Sequence, residues 1–367
     1  MNISRRQFIC KAAAAGVMAS GIGYLSFANS KSAWLVSACT DNKGQHYVAA
    51  CDLDGTLISK IKLPARGHDA IALAHKPGRA IIFARRPGKF ALEVDFIRGE
   101  VIAEINAAEH SHFYGHGVYH RQSHTLLTSE NYYKTGEGQI VVRDADNYQE
   151  LARYSSGGIG PHQIALMPDG ETLVVANGGI ETHPDFPRKK LNLDSMLPNL
   201  AYMSLKSGEI LDSYALENKQ LSIRHLAVSK QGKVIAGLQY QGAKTDFVPL
   251  AIAHQGETSL QFLSAEESLW RQMNQYTASV CIDERQQLAA ISCPRADLIT
   301  YWSLIDNTFL RKEKVADGAG LTYINQLYAS SGKGQIKTPL TNNDSQHRTN
   351  IIHDNLRWDN HLTFILK

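Results

Sequence analysis

Short apolar runs bounded by turn residues recur along the chain from Ala33 onward. They include 33–37, 47–51, 80–83, 139–143, 172–176, 234–238 and 298–302. Between them lie turn signals such as Asp54-Gly55, Pro77-Gly78, Pro87-Gly88, Pro168-Asp169-Gly170, Lys206-Ser207-Gly208 and Gln231-Gly232. The runs are too short, and too rich in Val, Ile and Leu, for amphipathic helices. Even spacing with frequent turns predicts an all-β repeat protein.

The repeat can be read directly. His68-Asp69-Ala70-Ile71-Ala72-Leu73, the turn Pro77-Gly78 and the run 80–84 recur as His162-Gln163-Ile164-Ala165-Leu166, Pro168-Asp169-Gly170 and 172–177. The order returns as His225-Leu226-Ala227-Val228, Gln231-Gly232 and 234–238, with a weaker copy at His116-Gly117-Val118-Tyr119 followed by 125–128. Later copies at Thr277-Ala278-Ser279-Val280 and Leu321-Thr322-Tyr323-Ile324 keep the strand and lose the histidine. The starts are separated by 48, 46, 63 and then about 50 residues, which leaves room for seven units. A four-stranded sheet cannot bury both faces alone, and radial stacking covers them, so the prediction is one seven-bladed β-propeller domain. The long interval holds an insertion, 178–198, of the kind that maps to one face of a repeat protein. Segments 33–37 and 360–366 are expected to share a blade and close the ring.

Of the 367 residues 43% are hydrophobic and 20% charged, ample for a substantial core and incompatible with disorder. The net charge of +3 traces to Arg5, Arg6 and Lys11; beyond Ala28, 35 basic residues balance 35 acidic ones. With neither a basic run nor an acidic tail, nucleic acid is not an expected partner. Those three cations belong to Ser4-Arg5-Arg6-Gln7-Phe8-Ile9 and the weakly apolar stretch that follows, ending in Ser26-Phe27-Ala28. This is the layout of a twin-arginine export signal, 1–28, ahead of a mature domain, 29–367. The stretch is short and rich in Ala and Gly for crossing a core of about 30 Å, so release into the periplasm is expected, with no membrane span after signal removal. Export in the folded state is compatible with a cofactor loaded beforehand. Cys39, Cys51, Cys281 and Cys293 form no C-x-x-C pair, which leaves buried thiols, or bridges Cys39–Cys51 and Cys281–Cys293 within a blade.

The candidate chemistry lies at one station of the repeat. His68, His116, His162 and His225 each begin the first strand of a unit, which in a propeller lines the central channel. Four imidazoles at one level suit a transition metal such as Fe, Cu or Zn, with Asp69 or Glu130 completing or orienting the set. Two other uses stay open: binding a polar small molecule, or hydrogen-bonding between blades. Arg224, beside His225, is placed for an anionic ligand, Asn177 is a further polar candidate, and His183 lies in the insertion. His75, His110, His112, His120, His124, His254, His353 and His361 do not share the station and are expected in loops or at the surface. No hydrolase, zincin, Walker or dinucleotide motif is present. A propeller lactonase would need an acid and amide set on a divalent ion, for which Glu130, Asn177 and Asp69 are the candidates.

The segments Arg66-Gly67-His68-Asp69, Gly160-Pro161-His162-Gln163, Asn177-Gly178-Gly179-Ile180-Glu181-Thr182-His183-Pro184, Leu191-Asn192-Leu193-Asp194 and Ser222-Ile223-Arg224-His225-Leu226, behind a twin-arginine leader, resemble a bacterial family known as domain of unknown function 1513. The likeness spans essentially the mature chain. It departs at Asp185-Phe186-Pro187-Arg188, where the family's pattern looks like a glycine-containing loop. The resemblance implies a seven-bladed propeller of WD40 or YVTN type. It also implies an association with imelysin-like and di-haem-oxidase-like proteins, hence periplasmic metal or iron handling; it assigns no catalytic residue. The resulting expectation is a periplasmic propeller that binds a transition metal or metal-bearing ligand at the channel mouth without turnover. Its alternatives are a lactonase-like or metal-dependent enzyme using the same face, and a protein-interaction scaffold.

Overall fold

The computed structural model describes residues 33–186, 189–338 and 350–367. The segment expected to be an export signal, 1–28, and Pro187 and Arg188 of the insertion lie outside the described residues. Seven antiparallel sheets form the predicted ring. Six blades are continuous in sequence, at 67–106, 111–155, 161–215, 221–262, 280–314 and 318–352, each running in chain order from one edge of its sheet to the other.

The seventh blade joins the two ends of the chain. Ala33–Asp41 pairs along one half with Thr363–Leu366, Ala33 opposite Leu366, and along the other with Leu356–Trp358, Cys39 opposite Trp358. The outer strands His46–Asp52 and Leu57–Lys62 complete it. Its innermost strand is thus supplied by the C-terminus in two pieces, interrupted at Asp359, Asn360, His361 and Leu362.

Position within a blade explains composition. Thr172–Asn177, the second strand of the third blade, is buried at every residue because both neighbouring blades cover it. Phe309–Lys314, outermost in the fifth blade, carries Arg311, Lys312, Glu313 and Lys314, and charge protects its free edge from pairing with another chain. The helix Glu267–Gln272 fills the junction between the fourth and fifth blades, where Trp270 stacks on Trp302 with ring centres 5.1 Å apart.

Cys39 sits opposite Tyr47 and Cys51 opposite Leu35, so register separates these two thiols along their strands. Cys39, Cys51, Cys281 and Cys293 are all free, and burial pushes each thiol up to about 12, which makes them unreactive packing groups. No helix among the described residues is long and apolar enough to cross a membrane.

Candidate metal centre in the channel

In blade after blade the innermost strand slips register at one place. The slips fall between Gly67 and Ala70, Phe113 and Gly117, Pro161 and Ile164, Ile223 and Leu226, and Gly318 and Leu321. A bulge leaves residues outside the ladder and re-aims their side chains. His68, His116, His162 and His225 occupy four of these bulges, and the break at 359–362 puts His361 into the same layer. The fifth and sixth blades place Ser279 and Gly320 at the corresponding points.

Five imidazoles therefore converge. Successive ring centres around the set lie 4.9 Å (His68 to His116), 4.7 Å (His116 to His162), 4.6 Å (His162 to His225), 4.6 Å (His225 to His361) and 4.6 Å (His361 to His68) apart. All five are buried. Two trios, His68 with His116 and His361, and His116 with His162 and His225, each bring one ligand atom per residue within 4.8 Å of the others. His116 belongs to both.

The strands carrying these rings are held at close quarters. The Ser129 hydroxyl reaches the carbonyls of His116 and His162, at 3.2 and 3.1 Å, so one side chain fixes two histidine backbones. Ser37 donates to the His361 carbonyl at 2.5 Å. Gly115 has φ of +99°, and a Cβ there would lie 2.6 Å from the His68 ring, so this bulge requires glycine on both counts.

Asp69 organises the centre. Its carboxylate accepts the His116 Nδ1–H at 2.9 Å and the Ala70 N–H at 2.8 Å, and lies 3.9 Å from His361 Nδ1. Burial opposes its ionisation, but His361, the hydrogen bond and charge of His116 and the Ala70 N–H together hold it below the usual carboxylate range. With Nδ1 committed as donor, His116 presents Nε2 as a lone pair, the tautomer a metal requires. Burial, and then the neighbouring imidazoles, hold His68, His162 and His225 well below the normal histidine range, and burial brings His361 to about 4. These four rings are neutral at physiological pH and thus able to ligate.

Each of the five rings keeps one buried nitrogen without a hydrogen-bond partner: Nδ1 of His68, His162 and His225, and Nε2 of His116 and His361. His162 and His225 approach Nε2 to Nε2 at 3.3 Å. Zn–N bonds of about 2.0–2.1 Å in tetrahedral geometry would set a nitrogen–nitrogen edge of about 3.3 Å. The donor set, its spacing and its protonation state fit an imidazole-preferring ion.

The other sequence candidates have separate partners. Glu130 is fully buried but engaged by Arg143 at 2.7 Å and Thr128 at 2.8 Å, an ion pair inside the second blade. Asn177 donates to the Ser156 carbonyl at 2.9 Å and accepts the Ser156 hydroxyl at 2.8 Å, tying down the 156–160 turn. His183 is part-exposed against Tyr133 and Phe186. Arg224 is 1% exposed, next to His225 and close to its layer: its guanidinium carbon would lie 3.4 Å from a Cβ on Gly178, and its charge is felt by both His162 and His225.

Several histidines expected in loops or at the surface are instead buried. His112 sits between the Phe113 carbonyl, Thr182 and Asn131, anchoring the insertion; His254 bonds Tyr202; His120 reaches the Gly170 carbonyl. The consequential correction is His361. Its signal was present, because Asn360-His361-Leu362 opens the segment expected to close the ring, but that copy comes from the C-terminus and breaks the sequence phase of the repeat. Asp359, in the same ring-closing break, pairs with Arg66 at 2.5 Å and lies 3.9 Å from His68 Nδ1.

Below the histidine layer a cavity of about 380 Å³ opens, lined among others by Asp69, Gln163, Ser279, His361 and Thr363. Ser279 lines it from the fifth blade, and Gly320 of the sixth lies so close to Ser330 and the His361–Leu362 backbone that a Cβ there would clash.

No curated protein matches the sequence. Among solved structures the chain is similar to one in "Kuenenia stuttgartiensis Hydrazine Synthase", with 12% identity, a TM-score of 0.64, and coverage of 83% of this chain and 95% of that one; at such identity the likeness concerns the fold alone. The family model described as "Protein of unknown function (DUF1513)" matches residues 61–365. That span begins in the outermost strand of the seventh blade and includes all five channel histidines, so the chain belongs to the DUF1513 family.

Proposed function

We propose that this protein is an exported periplasmic propeller that binds a transition metal ion, iron, copper or zinc, or a ligand bearing one, on His68, His116, His162, His225 and His361, and serves metal handling rather than turnover. The observation that carries the proposal is the set of five buried ring nitrogens without partners. A buried polar atom left unsatisfied costs about 1–3 kcal/mol, and coordination offsets that cost wherever the idle nitrogen is the ligand. The carboxylate of Asp69 behind His116 is the arrangement that orients a metal-binding imidazole. The periplasmic assignment draws on the twin-arginine leader, and the link to imelysin-like or di-haem partners on the family resemblance.

A second reading, a metal-dependent enzyme, draws on the adjoining cavity, whose volume is in the range that admits a small substrate. A lactonase-like set is less favoured, because the side chains of Glu130 and Asn177 are committed to Arg143 and Ser156.

The test is elemental analysis of protein exported by its own leader and purified without chelator or affinity metal, beside a His68→Ala/His162→Ala/His225→Ala variant. Stoichiometric metal in the first and none in the second is expected. Absence of metal from both, persisting after incubation with Fe(II), Cu(II) and Zn(II), would overturn the proposal.

A further inference from the structure

The end of the channel above the histidines gathers several arginines, with Asp359 beside Arg66 and Arg85 and Glu181 near Tyr114. Arg224, on the fourth blade, is buried, and its electrostatic neighbours are Arg86 from the first blade, Tyr114 from the second and Tyr276 from the segment leading into the fifth. One residue can sense groups from so many blades only near the channel axis. Arg85 joins the group, with Arg66, Asp359, Tyr276 and Arg86 as its neighbours. His68 feels Arg85 and Arg86, and His162 feels Arg224 and Arg86, so the cations adjoin the imidazole layer directly. Lys190 of the insertion senses Arg224, Arg295 and Arg86 from above.

Arg85 is exposed and has Asp359 nearby, but the charges of Arg86 and Arg224 are not compensated. Asp359 is taken by Arg66 at 2.5 Å, and among the described residues Arg85, Arg86 and Arg224 make no ion pair. Arg224 Nε and one terminal nitrogen of Arg86 are buried without hydrogen-bond partners. Arg224 is a cation buried in a place that disfavours one. Gly178 leaves space beside it, since a Cβ there would come within 3.4 Å of the guanidinium carbon. A buried cation without a counter-charge is unfavourable, and planar guanidinium forks match carboxylate and phosphate oxygens.

We propose that Arg86 and Arg224 form an anion subsite at the mouth of the channel, which holds the carboxylate or phosphate oxygens of a small ligand directly above the histidine layer. Arg86, half-buried, meets the anion first, and Arg224 holds it behind. Only the further step, that this anion belongs to the ligand delivering or completing the metal, rests on the function proposed above.

The experiment is isothermal titration of the full mature chain, treated with chelator and dialysed to low salt, with citrate in one arm and inorganic phosphate in the other. Wild type, Arg86→Gln, Arg224→Gln and Arg224→Lys are compared, with circular dichroism to establish that each is folded. One anion should bind per chain. Each Gln variant should weaken binding by about tenfold or more, as expected for loss of a charge-assisted hydrogen bond, and Arg224→Lys by less. Tighter citrate marks a polycarboxylate ligand, tighter phosphate a phosphorylated one. Absence of binding in both arms, or binding indifferent to both Gln substitutions, overturns the subsite. Because the protein is metal-free throughout, failure here leaves the metal centre standing, and failure of the metal centre leaves this result readable.

Discussion

Two arginines in this propeller are almost equally buried and have opposite surroundings. Arg143 reaches Glu130 at 2.7 Å, the Tyr148 carbonyl at 3.5 Å and the face of Phe113. Arg224 has a second arginine and two phenols as neighbours and no ion pair among the described residues, although each guanidinium keeps one unpartnered Nε. The same contrast separates His112, tied into the insertion through Phe113, Thr182 and Asn131, from the five channel histidines, each with an idle nitrogen. Burial alone therefore does not mark a functional polar residue. For the arginines the counter-charge does: Arg143, closed by Glu130, holds its blade together, whereas Arg224 is left open to a group the chain does not itself supply.

That division should fail visibly if it is wrong. The largest effect is expected at the closed site. Glu130→Ala strands Arg143 in the interior and should cost about 3–5 kcal/mol in urea denaturation, while metal content in the folded fraction stays as in wild type. A metal loss without a stability loss would reverse the assignment of Glu130.

Asp69→Asn sharpens the other side. The His116 ring loses its carboxylate and its fixed tautomer, and metal affinity should fall about 10–100-fold, read by competition with a chromophoric chelator. Unchanged affinity would remove Asp69 from the centre.

Gly115→Ala probes the geometry between the two. A Cβ in the left-handed region and against the His68 ring should destabilise the fold by about 1–3 kcal/mol and weaken metal binding as well. A variant of wild-type stability would mean that the bulge is looser than described.

Arg224→Met has the smallest effect and the opposite sign. Removing an uncompensated buried charge should leave the melting temperature unchanged or raise it, equivalent to about 1 kcal/mol or less, while anion binding disappears. Marked destabilisation would show Arg224 to be a structural residue like Arg143.

Much of the fold could be read from the chain because a propeller repeats one hydrophobic pattern. Ile81, Val174 and Ile235 recur after the same turn, and the histidine before each run marks the innermost strand. Four of the five channel histidines follow from that register. His361 did not, because ring closure is a long-range event: Thr363–Leu366 becomes an inner strand only by pairing with Ala33–Val36, and local pattern cannot express it. Glu130 misled for a complementary reason. Its type and its nearness to the repeat station suited a ligand, but which face of a strand a carboxylate takes, and that Arg143, opposite Leu126 on the next strand, reaches along the sheet to it, is settled by the fold. The uncompensated state of Arg224 was equally hidden, since sequence shows a charge and not the absence of its counter-charge.

The central claim is that the channel histidines are metal ligands. X-ray absorption at the metal edge of the stoichiometrically loaded protein tests it most directly. For zinc, the account predicts at least three imidazole nitrogens at about 2.0–2.1 Å, with the multiple-scattering pattern of histidine rings, lost in the His116→Ala variant, whose residue belongs to both trios. A shell of oxygens alone, or an imidazole shell that survives His116→Ala unchanged, would place the ion elsewhere and contradict the account.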